Sequence, residues 1–150
     1  MNSSSSVTIG IIASLIASLM FAVLSRLLAV LNYRSRARRF TGKYRMLDQY
    51  NEIPRGGTVV LEYHLWEQLW APAPVLNVFA EHGTGAKDWT GAVEILGISN
   101  VASGFYAHGD GAGGALWLTL ASDNQQITEH GIPSDPQYQD FVRRLQRIAR

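Results

Sequence analysis

Residues 58–65 read TVVLEYHL, and this stretch decides the class of the fold. Val59, Leu61, Tyr63 and Leu65 alternate with Val60, Glu62 and His64. A period of two is what a half-buried β-strand produces and what a helix does not. Runs of the same kind lie on both sides. FTGKYRMLDQY at 40–50 places Tyr44 and Met46 on one face, and EIPRGG then reads as a turn. VLNVFAEH at 75–82, WTGAVEILGI at 89–98, NVASGFYAH at 100–108, GALWLTLA at 114–121 and QQITEH at 125–130 continue the series. Between them, HGTGAKD and GDGAGG carry the glycines of turns. About seven short strands at close spacing predict an antiparallel meander that wraps into a barrel or a tight sandwich. A parallel α/β fold needs crossover helices, and the intervals are too short for them.

The end of the chain reads differently. Pro133 and Pro136 stop the sheet pattern, and Ser134 or Asp135 can cap a helix beginning there. Phe141, Leu145 and Ile148 then fall at i, i+4 and i+7 with Val142 beside them, which predicts a helix within 133–150. Arg143, Arg144, Arg147 and Arg150 would sit at its carboxyl-terminal half, where the helix dipole favours cations. Such a helix is expected to pack on an open side of the sheet; a membrane-facing or partner-facing position is the alternative.

The start of the chain is apolar. Val7 to Ser25 is VTIGIIASLIASLMFAVLS, nineteen residues without a charge, and LLAVL comes after Arg26. About 20 apolar residues cross the hydrocarbon of a bilayer as a helix. A cleaved signal peptide is the rival reading. Met1–Ser6 lacks a basic residue, the apolar run is long, and no small-x-small cleavage site precedes Asn32, so a retained anchor is expected. The chain thus divides into a disordered 1–6, a span at 7–31, a basic neck at 32–39, a β domain at 40–132 and a helix at 133–150. Gly10, Ser14, Ser18 and Ala22 recur every fourth residue, a stripe that lets two spans approach and predicts self-association or pairing with another membrane protein.

Charge is divided unevenly. Seven basic and no acidic side chains lie before residue 48, whereas residues 48–142 carry all twelve acidic ones and only Arg55 and Lys87 as basic ones. The positive-inside rule places the carboxyl-terminal part in the cytoplasm, hence a single-pass protein of the inner membrane. Arg34, Arg36, Arg38 and Arg39 are expected to contact lipid headgroups. The acidic body disfavours broad binding to nucleic acid, which needs phosphate-neutralising charge. The absence of cysteine excludes disulfides, Cys-ligated metals and thiol catalysis, and it suits a reducing compartment.

No motif for chemistry stands out. His64, His82, His108 and His130 match no zinc spacing, so no metal or other cofactor is expected. There is no GxSxG, and GDGAGG lacks the Lys-Ser/Thr and the helix of a phosphate loop. A flexible hairpin turn bordering a ligand mouth accounts for it. The aromatic residues carry more. Trp66 and Trp70 in WEQLWAPAP form an exposed patch or a cavity lid. Tyr44, Tyr63, Trp89, Tyr106 and Trp117 lie in or beside strands, where they fill a core or line a cavity; with Arg45 they are the candidate ligand-binding residues.

FTGKY at 40–44, WTGAVEI at 89–95 and GFY at 104–106 together resemble the small calycin-type meander barrels, lipocalins and avidins, which bind small molecules inside the barrel. Tyr44 stands where those families place Trp. In layout the chain resembles bacterial anti-phage effectors, in which membrane helices carry a cytoplasmic minimal β-barrel that binds a cyclic nucleotide and the helices oligomerise. It departs from them in having one span and a carboxyl-terminal helix. The expected function is a non-enzymatic, membrane-anchored sensor or binding module for a small anionic ligand, acting as a homo-oligomer; a structural or adaptor subunit of a membrane complex is the alternative.

Overall fold

The computed structural model describes residues 3–47, 54–81 and 87–149. It begins with α1 (Ser3–Phe40), one continuous helix. Eight strands come next among the described residues: β1 (Gly42–Leu47), β2 (Pro54–Glu62), β3 (Leu76–Glu81), β4 (Lys87–Ile95), β5 (Val101–His108), β6 (Gly113–Leu120), β7 (Gln126–Pro133) and β8 (Phe141–Ala149). A short helix, α2 (Leu65–Trp70), interrupts the series between β2 and β3. Each strand pairs antiparallel with the next, and β8 pairs back onto β1, so the sheet closes into a barrel. Closure removes the exposed edges at which a sheet would otherwise pair with other chains.

The alternation read over 58–65 is realised only in part: Val59 and Leu61 point inward, but Val60 is buried too, β2 ends at Glu62 and Leu65 already belongs to α2. Leu76, Val78 and Ala80 of β3, Val93 and Ile95 of β4, and Leu116, Leu118 and Leu120 of β6 complete the interior with Tyr44, Met46, Ile127 and Leu145. β2 starts earlier than expected, since Pro54 already pairs with Leu47 where EIPRGG reads as a turn. Most of the HGTGAKD turn, and Arg150, lie outside the described residues.

The predicted carboxyl-terminal helix is replaced by β8. Phe141 and Leu145 satisfy both a helical and a strand period, so they did not discriminate. Val142 and Ile148, which the helix needed on its apolar face, are exposed, and Arg143 and Arg147 turn inward instead. The inward arginines are stabilised across the strand: Glu129 of β7 lies opposite Arg143, and Tyr44 of β1 lies opposite Arg147. β8 also satisfies the backbone groups along both β1 and β7, a gain that no local pattern in 133–150 announces.

α1 has two halves. The residues from Val7 to Leu24 are exposed, and the helix is long and apolar enough to cross a membrane. Beyond them Val30, Tyr33, Ala37 and Phe40, spaced by three, four and three, are buried as one helical face that stoppers one end of the barrel. The Tyr33 hydroxyl accepts the Ile95 N–H at 3.0 Å, and the Tyr63 hydroxyl donates to the Val30 carbonyl at 2.9 Å. The segment read as a free basic neck is therefore part of this seal. Arg36 donates to the Gly97 carbonyl and Arg39 to Asn100 Oδ1 at 2.7 Å, so both brace α1 against the β4–β5 loop.

Candidate functional site at the open mouth

The barrel has two unlike ends. At the end closed by α1, Arg147 donates to the Arg39 carbonyl and to the Tyr44 hydroxyl, and Tyr44 donates in turn to the Phe40 carbonyl at 2.7 Å. These are the last carbonyls of α1, which have no partner within the helix and carry the negative end of its dipole. Arg147 thus caps α1 from inside the barrel through Nη2, while its Nε and Nη1 are buried with no hydrogen-bond partner.

Among the described residues, the opposite end is formed by the β5–β6 and β7–β8 loops and is not covered by the helix. Its interior wall comes from β4, β5, β7 and β8, whose inward positions carry Trp89, Tyr106, Glu129, Phe141 and Arg143. Glu129 is fully buried and accepts one hydrogen bond, from Arg143 Nη2 to Oε1 at 3.0 Å. Glu129 Oε2 and Arg143 Nε are buried with no hydrogen-bond partner. The Arg143 guanidinium lies 4.2 Å from the centre of the Phe141 ring and 5.9 Å from that of Trp89, both cation–π distances. Tyr106 meets Trp89, His108 and Phe141 edge-on, with ring centres 5.7 to 6.0 Å apart. Gly131 leaves room for this arrangement, since a Cβ there would strike the Phe141 ring.

A cavity of about 280 Å³ opens at this mouth, lined by Tyr106, His108, Asp110, Asp135, Tyr138 and Phe141; Trp89, Glu129 and Arg143 do not line it and lie behind Tyr106 and Phe141. Its size lies near the lower bound of small-molecule sites, about 300 Å³. The two aspartates also shape the loops: Asp110 Oδ1 accepts the Ala112 N–H at 3.0 Å and Asp135 Oδ1 the Gln137 N–H at 2.9 Å, as Asx turns do. The glycine-rich hairpin thus borders the mouth as the sequence suggested, with Gly111 at a φ of +90° that a side chain would strain.

Burial pushes the Glu129 carboxyl above the ordinary range, and the Arg143 charge opposes that shift without cancelling it. A buried ion pair is a weak source of stability because desolvation consumes most of the Coulombic gain. Native interiors leave few polar atoms unsatisfied. The pair leaves an unmet oxygen and nitrogen beneath three aromatic rings.

Of the residues singled out by sequence, the structure brings Trp89 and Tyr106 together at the mouth. Tyr44 is also interior but belongs to the sealed end. Tyr63 stacks against Tyr33 with ring centres 5.5 Å apart and fixes the helix. Arg45 is exposed and Trp117 sits on the outer face, its ring 6.0 Å from that of His130. Trp66 and Trp70 lie on α2, at the helix-bearing end and away from the mouth. Gly10, Ser14, Ser18 and Ala22 are all on the exposed half of α1. Arg34 and Arg38 line a groove between α1 and the edge of β1 and β2 that also holds Lys43 and His64.

Sequence reasoning missed Glu129, Phe141 and Arg143. A signal existed in the period of two that joins Ile127, Glu129 and Gly131, and again Phe141, Arg143, Leu145 and Arg147. Charges at inward positions masked it. His64 pairs with Glu62 at 2.9 Å and His130 lies 3.9 Å from Asp140, while His82 falls outside the described residues. Among the described residues no group of three or more His, Asp or Glu side chains is placed to hold a metal ion. Comparison with protein-family models, with curated proteins and with solved structures finds no match to this chain.

Proposed function

We propose that this chain is a non-enzymatic, membrane-anchored binding module whose barrel mouth takes a small ring-bearing ligand with a single negative charge, and whose span carries the response by self-association. The observation that supports it most is the buried Glu129–Arg143 pair with unmet polar atoms beneath Trp89, Tyr106 and Phe141. The rings offer faces for a planar group, and Arg143 offers a cation for one phosphate or carboxylate. Asp110 and Asp135 on the rim disfavour ligands of higher negative charge. A cyclic mononucleotide meets both conditions, in line with a calycin-like barrel on the effector plan. The exposed stripe Gly10, Ser14, Ser18 and Ala22 is the surface through which two spans would meet. The basic residues beyond the apolar run favour a cytoplasmic barrel, as in a single-pass inner-membrane protein.

The test uses the full chain in detergent, titrated with 3′,5′-cyclic AMP, indole-3-acetate and a fatty acid. A ligand at about 100 times its Kd adds about 2.7 kcal/mol of stability, which a melting curve reads as a rise of several degrees. The cyclic nucleotide is expected to give that rise and to change Trp89 fluorescence, and Arg143→Met to abolish both. No rise with any of the three compounds overturns the reading. Light scattering with and without ligand tests the self-association separately.

A further inference from the structure

The position of α2 is unexplained by ligand binding. Its six residues expose Trp66 and Trp70 at 76% and 88%, on one face four residues apart, while Gln68 between them is buried. Gln68 Oε1 accepts the Val75 N–H at 2.8 Å, which folds the segment back toward β3. Arg26 of α1 donates from Nη2 to the Gln68 carbonyl at 2.6 Å and also to the Ala71 carbonyl. Arg26 is the first charge after the nineteen-residue apolar run, so α2 is clasped to α1 at the level where that run ends. Nineteen helical residues span about 28 Å, close to the roughly 30 Å of hydrocarbon in a bilayer. That level is therefore the edge of the hydrocarbon, where tryptophan is enriched because its ring is apolar and its N–H can reach water or headgroups.

The same end of the barrel carries a second apolar projection. In the loop between β4 and β5, Ile98 is 93% exposed and Leu96 is exposed beside it. Arg36 holds this loop against α1 through the Gly97 carbonyl. Exposed large apolar side chains thus lie on two separate segments, α2 tied to α1 at Arg26 and the β4–β5 loop tied ten residues further along at Arg36, about 15 Å up the helix.

We propose that the sealed end of the barrel rests on the bilayer, with Trp66 and Trp70 of α2 seated in the headgroup layer and Ile98 of the β4–β5 loop at its outer edge. This rests on the reading of α1 as a span. The chain then holds its membrane at three points, the barrel cannot swing freely about α1, and the ligand mouth is turned to the aqueous phase.

The experiment reconstitutes the full chain in phosphatidylcholine vesicles with and without phosphatidylglycerol. In the Trp89→Phe/Trp117→Phe variant only Trp66 and Trp70 emit. Phospholipids brominated near the glycerol should quench them several-fold more than aqueous iodide does, and bromines near the chain ends should quench weakly. Because the chain lacks cysteine, Ile98→Cys in the otherwise unchanged protein accepts an environment-sensitive dye, which should report a shallower position than Trp66 and Trp70 without altering the barrel interior. A dye on Ser14→Cys reports the span itself. A Ser14 label in hydrocarbon with Trp66, Trp70 and the Ile98 label all open to iodide overturns the docking while the span stands, and leaves the patch as a protein-partner surface. A Ser14 label in water overturns the span, and the docking with it.

Discussion

The two ends of the barrel use the same residue type to opposite effect. Arg143 and Arg147 are four residues apart on β8 and both point inward. Arg147 meets the carbonyl end of α1 and the Tyr44 hydroxyl through Nη2, with Nε and Nη1 left unmet. Arg143 meets a buried carboxylate that keeps one oxygen unpaired, beneath Trp89, Tyr106 and Phe141. One arginine caps a helix and the other pairs with a carboxylate. An inward charge in a small barrel is thus interpretable only through what lies at its end of the barrel.

The comparison can be broken most severely at the seal. Phe40 is the last residue of the buried α1 face, and Phe40→Ala should cost about 3–5 kcal/mol through lost burial and the cavity left behind. Denaturant unfolding in detergent reads this loss, and a change under about 1 kcal/mol, on the same scale, would show that α1 does not stopper the barrel.

At the mouth, Arg143→Ala strands the Glu129 carboxylate and should cost a comparable amount, about 3–5 kcal/mol. The double variant Glu129→Leu/Arg143→Met removes both charges and should recover most of that stability while failing to bind ligand. If the double variant is as unstable as Arg143→Ala, the pair is structural and the distinction between the two ends fails.

Arg147→Met should have a smaller effect, about 2 kcal/mol or less, from the lost interaction with the helix terminus. Its readout is specific to the seal: amide exchange at the end of α1 and in the Asn100 loop should quicken, while ligand affinity at the mouth stays unchanged.

The smallest expected effect is in pH dependence. Glu129 has its native pKa raised by burial above the unfolded value of about 4.3. A raised native pKa means that folding takes up a proton. The contribution is complete below about pH 4 and is lost as pH rises through the native value. Glu129→Gln removes this slope, so the Tm of the variant should gain on that of the unaltered protein as pH rises above about 4. A gain in the other direction would mean that Arg143 holds the carboxyl as an anion more strongly than burial opposes it.

Much of the barrel was legible from alternation. Tyr44, Trp89 and Tyr106 share the parity of the aliphatic residues on their strands and do point inward. Parity also argues against Trp117, which lies between the inward Leu116 and Leu118 and therefore faces out. Arg45 comes directly after Tyr44 and is outward by the same rule. The site was less legible because its polar members break the apolar pattern that marks an interior. Glu129 reads as surface charge, and Phe141 with Leu145 fits a helical period as well as a strand. Only the pairing of β8 with both β1 and β7 places Arg143 opposite Glu129.

By itself, the sequence determined the antiparallel β class, the apolar helix long enough to cross a membrane, and which residues of most strands share a face. These come from local periodicity, which needs only neighbouring residues. The tertiary structure decided that 141–149 is a strand, that the second half of α1 is a stopper, and that a carboxylate and a guanidinium meet beneath three rings at the other end. Those features depend on closure: β8 gains hydrogen bonds from two strands distant in the chain, and buried charges find partners only once the barrel is shut.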